Sequence, residues 1–317
     1  MTEAGGTGSI VRMKLRRPAG KIGALLLIGQ WLLGPAVADA AIRIGPWAPI
    51  YRGVELAQGE ADAAEPRLQQ VRAVRIDLRE PGIELFSTPA NGDAPLETTS
   101  ETTVEFVRRH GVQVAVNASF FSPCCTPGDK DLTGLAMSRG VVVSPPVRHG
   151  PGDCVLAITK DNRAVITKSG PAFREADFWT AVAGSGIVLE AGVKPAGVTA
   201  AENVAAHPRT AVGISRDGRY LILLVIDGRQ PGYSMGATMS EVADWLLRFG
   251  AHDGLNLDGG GSTTLVRAAG EKAVVVNRPS GAAKPAGDGL ENRVDARALR
   301  SVGNNLGVFA QPLPAPP

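Results

Sequence analysis

Aromatic residues are few, with 8 Phe, 4 Trp and 3 Tyr against 39 Gly and 23 Pro, a balance that points to many turns. Cysteine is scarcer: Cys124, Cys125 and Cys154 allow one bridge, expected from Cys154 to either member of the adjacent pair, with one thiol left over. Four scattered histidines (His110, His149, His207 and His252) and the lack of an H-E-x-x-H pattern argue against zinc. No Gly-Lys-Ser/Thr follows any glycine loop, which excludes a P-loop. An excess of one charge is missing too. The first 40 residues carry Arg12, Lys14, Arg16, Arg17 and Lys21 against Glu3 and Asp39, leaving 28 basic and 29 acidic residues in the remainder. The formal charge of +2 therefore belongs to the leader, and no nucleic-acid surface is expected. With 44% hydrophobic and 20% charged residues, the chain is globular, and neither disordered, collagen-like nor coiled-coil.

A membrane-spanning run is absent from the leader. Residues 22–33 form an apolar stretch of twelve, too short for ~30 Å of hydrocarbon at ~1.5 Å per residue. Basic residues precede it, Pro35 ends it, and Ala38-Asp39-Ala40 has the A-x-A cleavage pattern. Residues 1–40 are thus expected to be a signal peptide for general secretion, placing the mature chain, without a membrane anchor, in the periplasm or outside the cell.

What is present beyond the leader reads as one domain. Residues 41–70 are expected to be a loosely structured lead-in, 71–310 the domain and 311–317 a flexible tail. Strands are expected at 71–78 and 83–87, a helix at 101–110 capped by Ser100 and stopped by Gly111, and a buried strand at 112–116 ending on Asn117. Residues 210–214 and 220–226 read as strands joined by the turn 216–219. The seven-residue apolar run 220–226 fits a central strand covered on both faces. A helix at 239–249 follows, opened by the capping box Thr238-x-x-Glu241 and striped by Val242, Trp245, Leu246 and Phe249. Leu255-Asn256-Leu257 is a further strand. This order predicts a right-handed crossover between parallel strands, hence an α/β (mixed α+β) domain with a mixed, partly parallel sheet and flanking helices. Parallel strands would deliver Asp227 and Asp258 to one sheet edge, beside Gly259-Gly260-Gly261, where ligands of open sheets bind.

Three segments, 207–213, 225–229 and 256–263, closely resemble the phosphodiester glycosidase family. Their cores are His207-Pro208-Arg209-Thr210, Ile226-Asp227-Gly228-Arg229 and Asn256-Leu257-Asp258-Gly259-Gly260-Gly261-Ser262-Thr263. Asn117-Ala118-Ser119-Phe120-Phe121 and the 300–308 segment resemble two outer motifs of the same family. The resemblance implies hydrolysis of the sugar–phosphate bond of sugar phosphodiesters by an exported protein, with polysaccharide or cell-envelope metabolism as the expected setting and the particular substrate left open. Within that reading Asp258 is expected as nucleophile or base and Asp227 as the orienting or second carboxylate, with the reverse assignment left open. Arg209 and Arg300, with the N–H groups of Gly259, Gly260 and Gly261, would hold the phosphodiester. Asn117, Asn256, Ser262, Thr263 and Asn304 would contact sugar hydroxyls or orient the acids, and Thr210, Phe120, Gly228 and Arg229 complete the binding set. Ala118-Ser119 stands where the family has paired glycines, and its side chains are expected to narrow the pocket or to change its backbone torsions. No cofactor is implied, with accessory calcium on the rim Asp and Asn oxygens left open. A serine hydrolase built on Ser262 with His252 or His207 is argued against by Thr264, where a nucleophile elbow needs Gly. The alternative is a non-catalytic exopolysaccharide- or glycan-binding protein of the same fold.

Overall fold

Branched apolar runs punctuated by glycine turns give twenty-one strands and two α-helices among the described residues, which are 42–62, 67–200, 204–281 and 298–314 of the computed structural model. In chain order, β1 (Ile42–Ile44), β2 (Ala48–Tyr51), β3 (Val54–Ala61), β4 (Gln69–Asp77), β5 (Glu84–Ser87) and β6 (Thr98–Thr99) precede helix α1 (Thr103–His110). Next come β7 (Val114–Asn117), β8 (Phe121–Ser122), β9 (Asp129–Leu132), β10 (Ala136–Ser138) and β11 (Val141–Ser144). They are followed by β12 (Cys154–Ile158), β13 (Ala164–Lys168), β14 (Thr180–Gly184) and β15 (Gly186–Leu189). Then β16 (Arg209–Ile214) and β17 (Tyr220–Ile226) lead to helix α2 (Met239–Arg248), β18 (Asp253–Asn256), β19 (Leu265–Ala269), β20 (Lys272–Val275) and β21 (Asn305–Phe309). The expected signal peptide lies outside the described residues.

The expected partly parallel α/β sheet is overturned: every ladder among the described residues is antiparallel. The largest sheet runs β1-β3-β4-β17-β16-β18-β15, with β2 added beside β3. A second runs β20-β19-β7-β21-β5, a third β11-β10-β14-β12-β13, and a small one β6-β9-β8. The error has a local cause. A continuous apolar run reports burial on both faces and says nothing about direction, and the β16–β17 hairpin slots β16 between the two strands expected to be neighbours. Because β17 and β18 each run antiparallel to β16, they point the same way, one strand apart. Their C-terminal ends therefore do share one sheet edge, reached by another topology.

Two-sided burial of β17 is real. On one face, Ile222, Leu224 and Ile226 pack under Val242, Trp245 and Leu246 of α2. On the other, Leu221, Leu223 and Val225 meet Leu85, Val116, Leu306 and Leu156 of the second and third sheets. The α2 helix starts at the expected capping box, with Thr238 Oγ1 accepting from the Glu241 N–H and the Glu241 carboxylate accepting from the Thr238 N–H. It lies close to the sheet: a Cβ on Gly254 would stand 2.6 Å from a Leu246 methyl. Thr102, and not Ser100, caps α1, while Gly111 ends it at φ 71° as expected. Within the expected loose lead-in, the described residues 42–62 hold β1, β2 and β3, and β3 pairs with β4 from Val54↔Ile76 to Ala61↔Gln69. The expected bridge to Cys154 is also absent. Cys154 sits in the buried strand β12 as a free thiol, pushed up to about 11 by burial and Asp153, while Cys124 and Cys125 bond to each other in an exposed loop.

Candidate active site

The site forms where the large sheet and the second sheet abut at their strand ends. Asn117 closes β7, and its carboxamide joins the two layers. Nδ2 donates to the Asp258 carbonyl (2.6 Å), and Oδ1 accepts from Thr210 Oγ1 (2.7 Å) and from the Thr264 N–H (3.1 Å). The Asp258 N–H donates to the Ala118 carbonyl at 2.9 Å, and the Leu257 N–H to that of Thr210. The loop after β18 is thereby hung from both sheets. Its side chain is left half-buried at the surface, although the residues before it are buried. Burial raises the Asp258 carboxyl to about 6, against the opposing pull of the Ser262 side chain, the Arg300 charge and the Gly259 N–H.

Glycine is required here by close approach. A Cβ on Gly261 would stand 2.5 Å from the Arg300 guanidinium, and one on Gly260 would stand 3.2 Å from that of Arg229. Two guanidinium groups thus flank one loop. Arg300 Nη1 also donates to Ser262 Oγ (3.3 Å). Arg229, at a left-handed φ of 59°, has Nη2 3.5 Å from His207 Nδ1 and no carboxylate partner among the described residues. The His207 imidazole is held below its ordinary range by burial and by the Arg209 and Arg229 charges. Arg209 donates through Nε to the Ala237 carbonyl and through Nη2 to the Ala205 carbonyl, and so orders the loop. The Gly260 N–H is likewise spent on the Pro208 carbonyl.

Asp227, at the end of β17, has a different environment. Its side chain is fully enclosed, with Oδ1 accepting from Asn277 Nδ2 (2.8 Å) and the Arg278 N–H (3.0 Å), and Oδ2 from Tyr233 Oη (3.1 Å). Its carbonyl accepts from Ser234 Oγ. Burial raises this carboxyl to about 6 despite those donors. Asn277 also donates to the Thr263 carbonyl and accepts from the Leu265 N–H, so Asp227 anchors the glycine loop from behind.

The other expected residues divide between the two environments. Gly228 packs against Pro208 and Gly236. Asn256 is buried and donates to Ser185 Oγ and the Leu257 carbonyl, with its Oδ1 unpartnered. Thr263 and Asn304 are fully buried, with Thr263 Oγ1 and Asn304 Nδ2 unpartnered. Phe120 is half-buried, and its carbonyl accepts from the Thr133 N–H. Ala118 and Ser119 do not narrow a pocket, since both are buried and Ser119 Oγ accepts from the Ala183 N–H of β14. His252 precedes β18 at the end opposite Asp258 and contacts Asp253, so it cannot serve Ser262. Among the described residues no group of three or more His, Cys, Asp or Glu could hold a metal. Sequence reasoning missed Asn277 and Arg278. Their only signal was a polar pair closing the apolar run of β20.

No curated protein matches the chain. Among solved structures, the catalytic domain of zebrafish N-acetylglucosamine-1-phosphodiester α-N-acetylglucosaminidase, auto-inhibited by its pro-peptide, is similar at TM-score 0.58 and 19% identity, over 85% of this chain and 88% of that one. A protein of Burkholderia pseudomallei gives 0.61 and 14%, over 86% and 97%. A hypothetical protein of Synechocystis gives 0.54 and 17%, over 83% of this chain, which spans 64% of that protein. At these identities the likeness concerns the fold. The sequence profile for phosphodiester glycosidases, however, matches residues 110–309, from the end of α1 through every site element described above, and the chain therefore belongs to the phosphodiester glycosidase family.

Proposed function

We propose that the protein hydrolyses the bond between a sugar and a phosphodiester, outside the cytoplasm, with Asp258 as the carboxylate at the reacting carbon. The observation that carries this reading is the half-buried Asp258 on a glycine loop flanked by Arg229 and Arg300. A phosphodiester is a single anion, suited to a guanidinium fork at each side of the loop. Breaking the bond between the anomeric carbon and the phosphate oxygen develops oxocarbenium character on the sugar, which an adjacent carboxylate stabilises. Water supplies the hydroxyl to the sugar and the proton to the products, which are the free sugar and a phosphomonoester of the second group. Phosphate is a good leaving group, so the ionised form of Asp258 suffices without a strong general acid. Asp227 positions the loop and does not touch substrate. The leader pattern at 14–40 supports the export reading.

The test is a panel of sugar 1-phosphodiesters with phosphomonoester controls, assayed with the full chain and with Asp258→Asn. Release of free sugar by the parent and not by the variant is expected. Binding without turnover would instead mark a glycan-binding protein.

A further inference from the structure

The Cys124–Cys125 bridge has no evident role in stability. It joins adjacent residues, so it closes no loop, and the loop-closure entropy through which disulfides stabilise a fold does not apply. Both residues are exposed and belong to no hydrophobic cluster. Their loop is nonetheless pinned, by the β8–β9 ladder on one side and by reciprocal hydrogen bonds between Ser100 and Gly128 on the other. Cys125 is held at φ 72°, a region that residues other than glycine rarely adopt.

The loop forms one wall of a cleft of about 420 Å³. Gly261 and Arg300 line the same cleft, so it is continuous with the candidate active site. Its lining brings Cys125, Pro127 and Leu299 together with Thr126, Ser280 and Ser301, and is more polar than apolar. A mostly polar lining that includes a few apolar residues suits a carbohydrate ring, which has apolar C–H faces and a polar edge. The volume lies in the range of about 300–1,000 Å³ usual for small-molecule sites.

We propose that this cleft seats the group on the far ester of the phosphodiester, a saccharide or polyol unit, and that the Cys124–Cys125 bridge is a specificity-determining wall of that subsite. This rests on the phosphodiester reading above. Arg300 at the junction would hold the phosphate, with the scissile sugar toward Asp258 and the second group against the bridge.

The test compares two substrates of the sugar accepted in the panel: its 1-phosphate methyl diester, and the diester whose second ester carries a monosaccharide. The readout is the ratio of kcat/KM for the glycosyl over the methyl substrate. In Cys124→Ser/Cys125→Ser, and in Ala298→Trp, which fills the cleft from another lining position and leaves the bridge chemically intact, this ratio is expected to fall about tenfold, carried by KM. Reduction of the parent protein should lower it in the same direction. A ratio unchanged in both variants, or equal losses on both substrates, would overturn the subsite while leaving the phosphodiester reading intact. Failure of the parent to hydrolyse either substrate would overturn both.

Discussion

Asp227 and Asp258 are alike in sequence, each an Asp-Gly closing an apolar strand, yet the fold treats them in opposite ways. Asp227 is sealed behind Asn277, Arg278 and Tyr233, whereas Asp258 keeps an accessible face beside Arg300. Both are raised to about 6 by burial. A perturbed carboxyl therefore does not identify a catalytic group; access to a ligand does.

The largest expected effect would break that symmetry. Asp258→Asn should lower kcat/KM by at least about 10²-fold while the protein still unfolds in a single cooperative thermal transition. Asp227→Asn should instead destabilise the fold by about 1–3 kcal/mol, because the new amide N–H₂ faces donors, and should reduce activity only as far as the loop shifts. Denaturant unfolding together with steady-state kinetics on both variants separates the two outcomes.

The arginines sharpen the comparison. Removing the Arg300 charge should move the acidic limb of kcat/KM upward by about one pH unit, because that cation stabilises the Asp258 carboxylate. Arg229→Ala should leave the limb in place and raise KM, and pH–rate profiles of the two variants are the check.

pH provides a smaller effect shared by both acids. Their folded pKa values lie above the unfolded value near 3.8, so the folded state holds protons that the unfolded state releases. Stability should fall as pH rises from about 4 to about 6, by of order 3 kcal/mol per group, while activity rises through the same window as Asp258 ionises. In Asp258→Asn about half of that stability loss should disappear, as read by Tm against pH. The smallest effect concerns Cys154. With its thiol at about 11 and buried, it should resist alkylation in the native protein and react once after unfolding, as counted by mass spectrometry.

Local chemistry was legible in the sequence wherever a single short segment determines the outcome. The strand at 220–226, the Thr238/Glu241 box and the Gly111 stop are all set by neighbours in the chain. The direction of the sheet was not legible, because it depends on β16 entering between β17 and β18, a choice made by pairing and not by the polarity pattern. The same limit applied within the site. Asp258 and its glycines stand out as a motif, but the enclosure of Asp227 comes from Asn277, fifty residues away. The carbonyl partners of Arg209, at Ala205 and Ala237, were likewise not visible in the sequence. Vicinal cysteines invite pairing with the third, yet Cys154 faces the interior of β12, out of their reach.

Asn117 gives the site an unusual dependence. One carboxamide hooks the reactive loop to two separate sheets, so the alignment of Asp258 is inherited from how those layers seat against each other. A cavity cut deep in the sandwich, at Val116 or Leu257, would be transmitted to the carboxylate as a tilt.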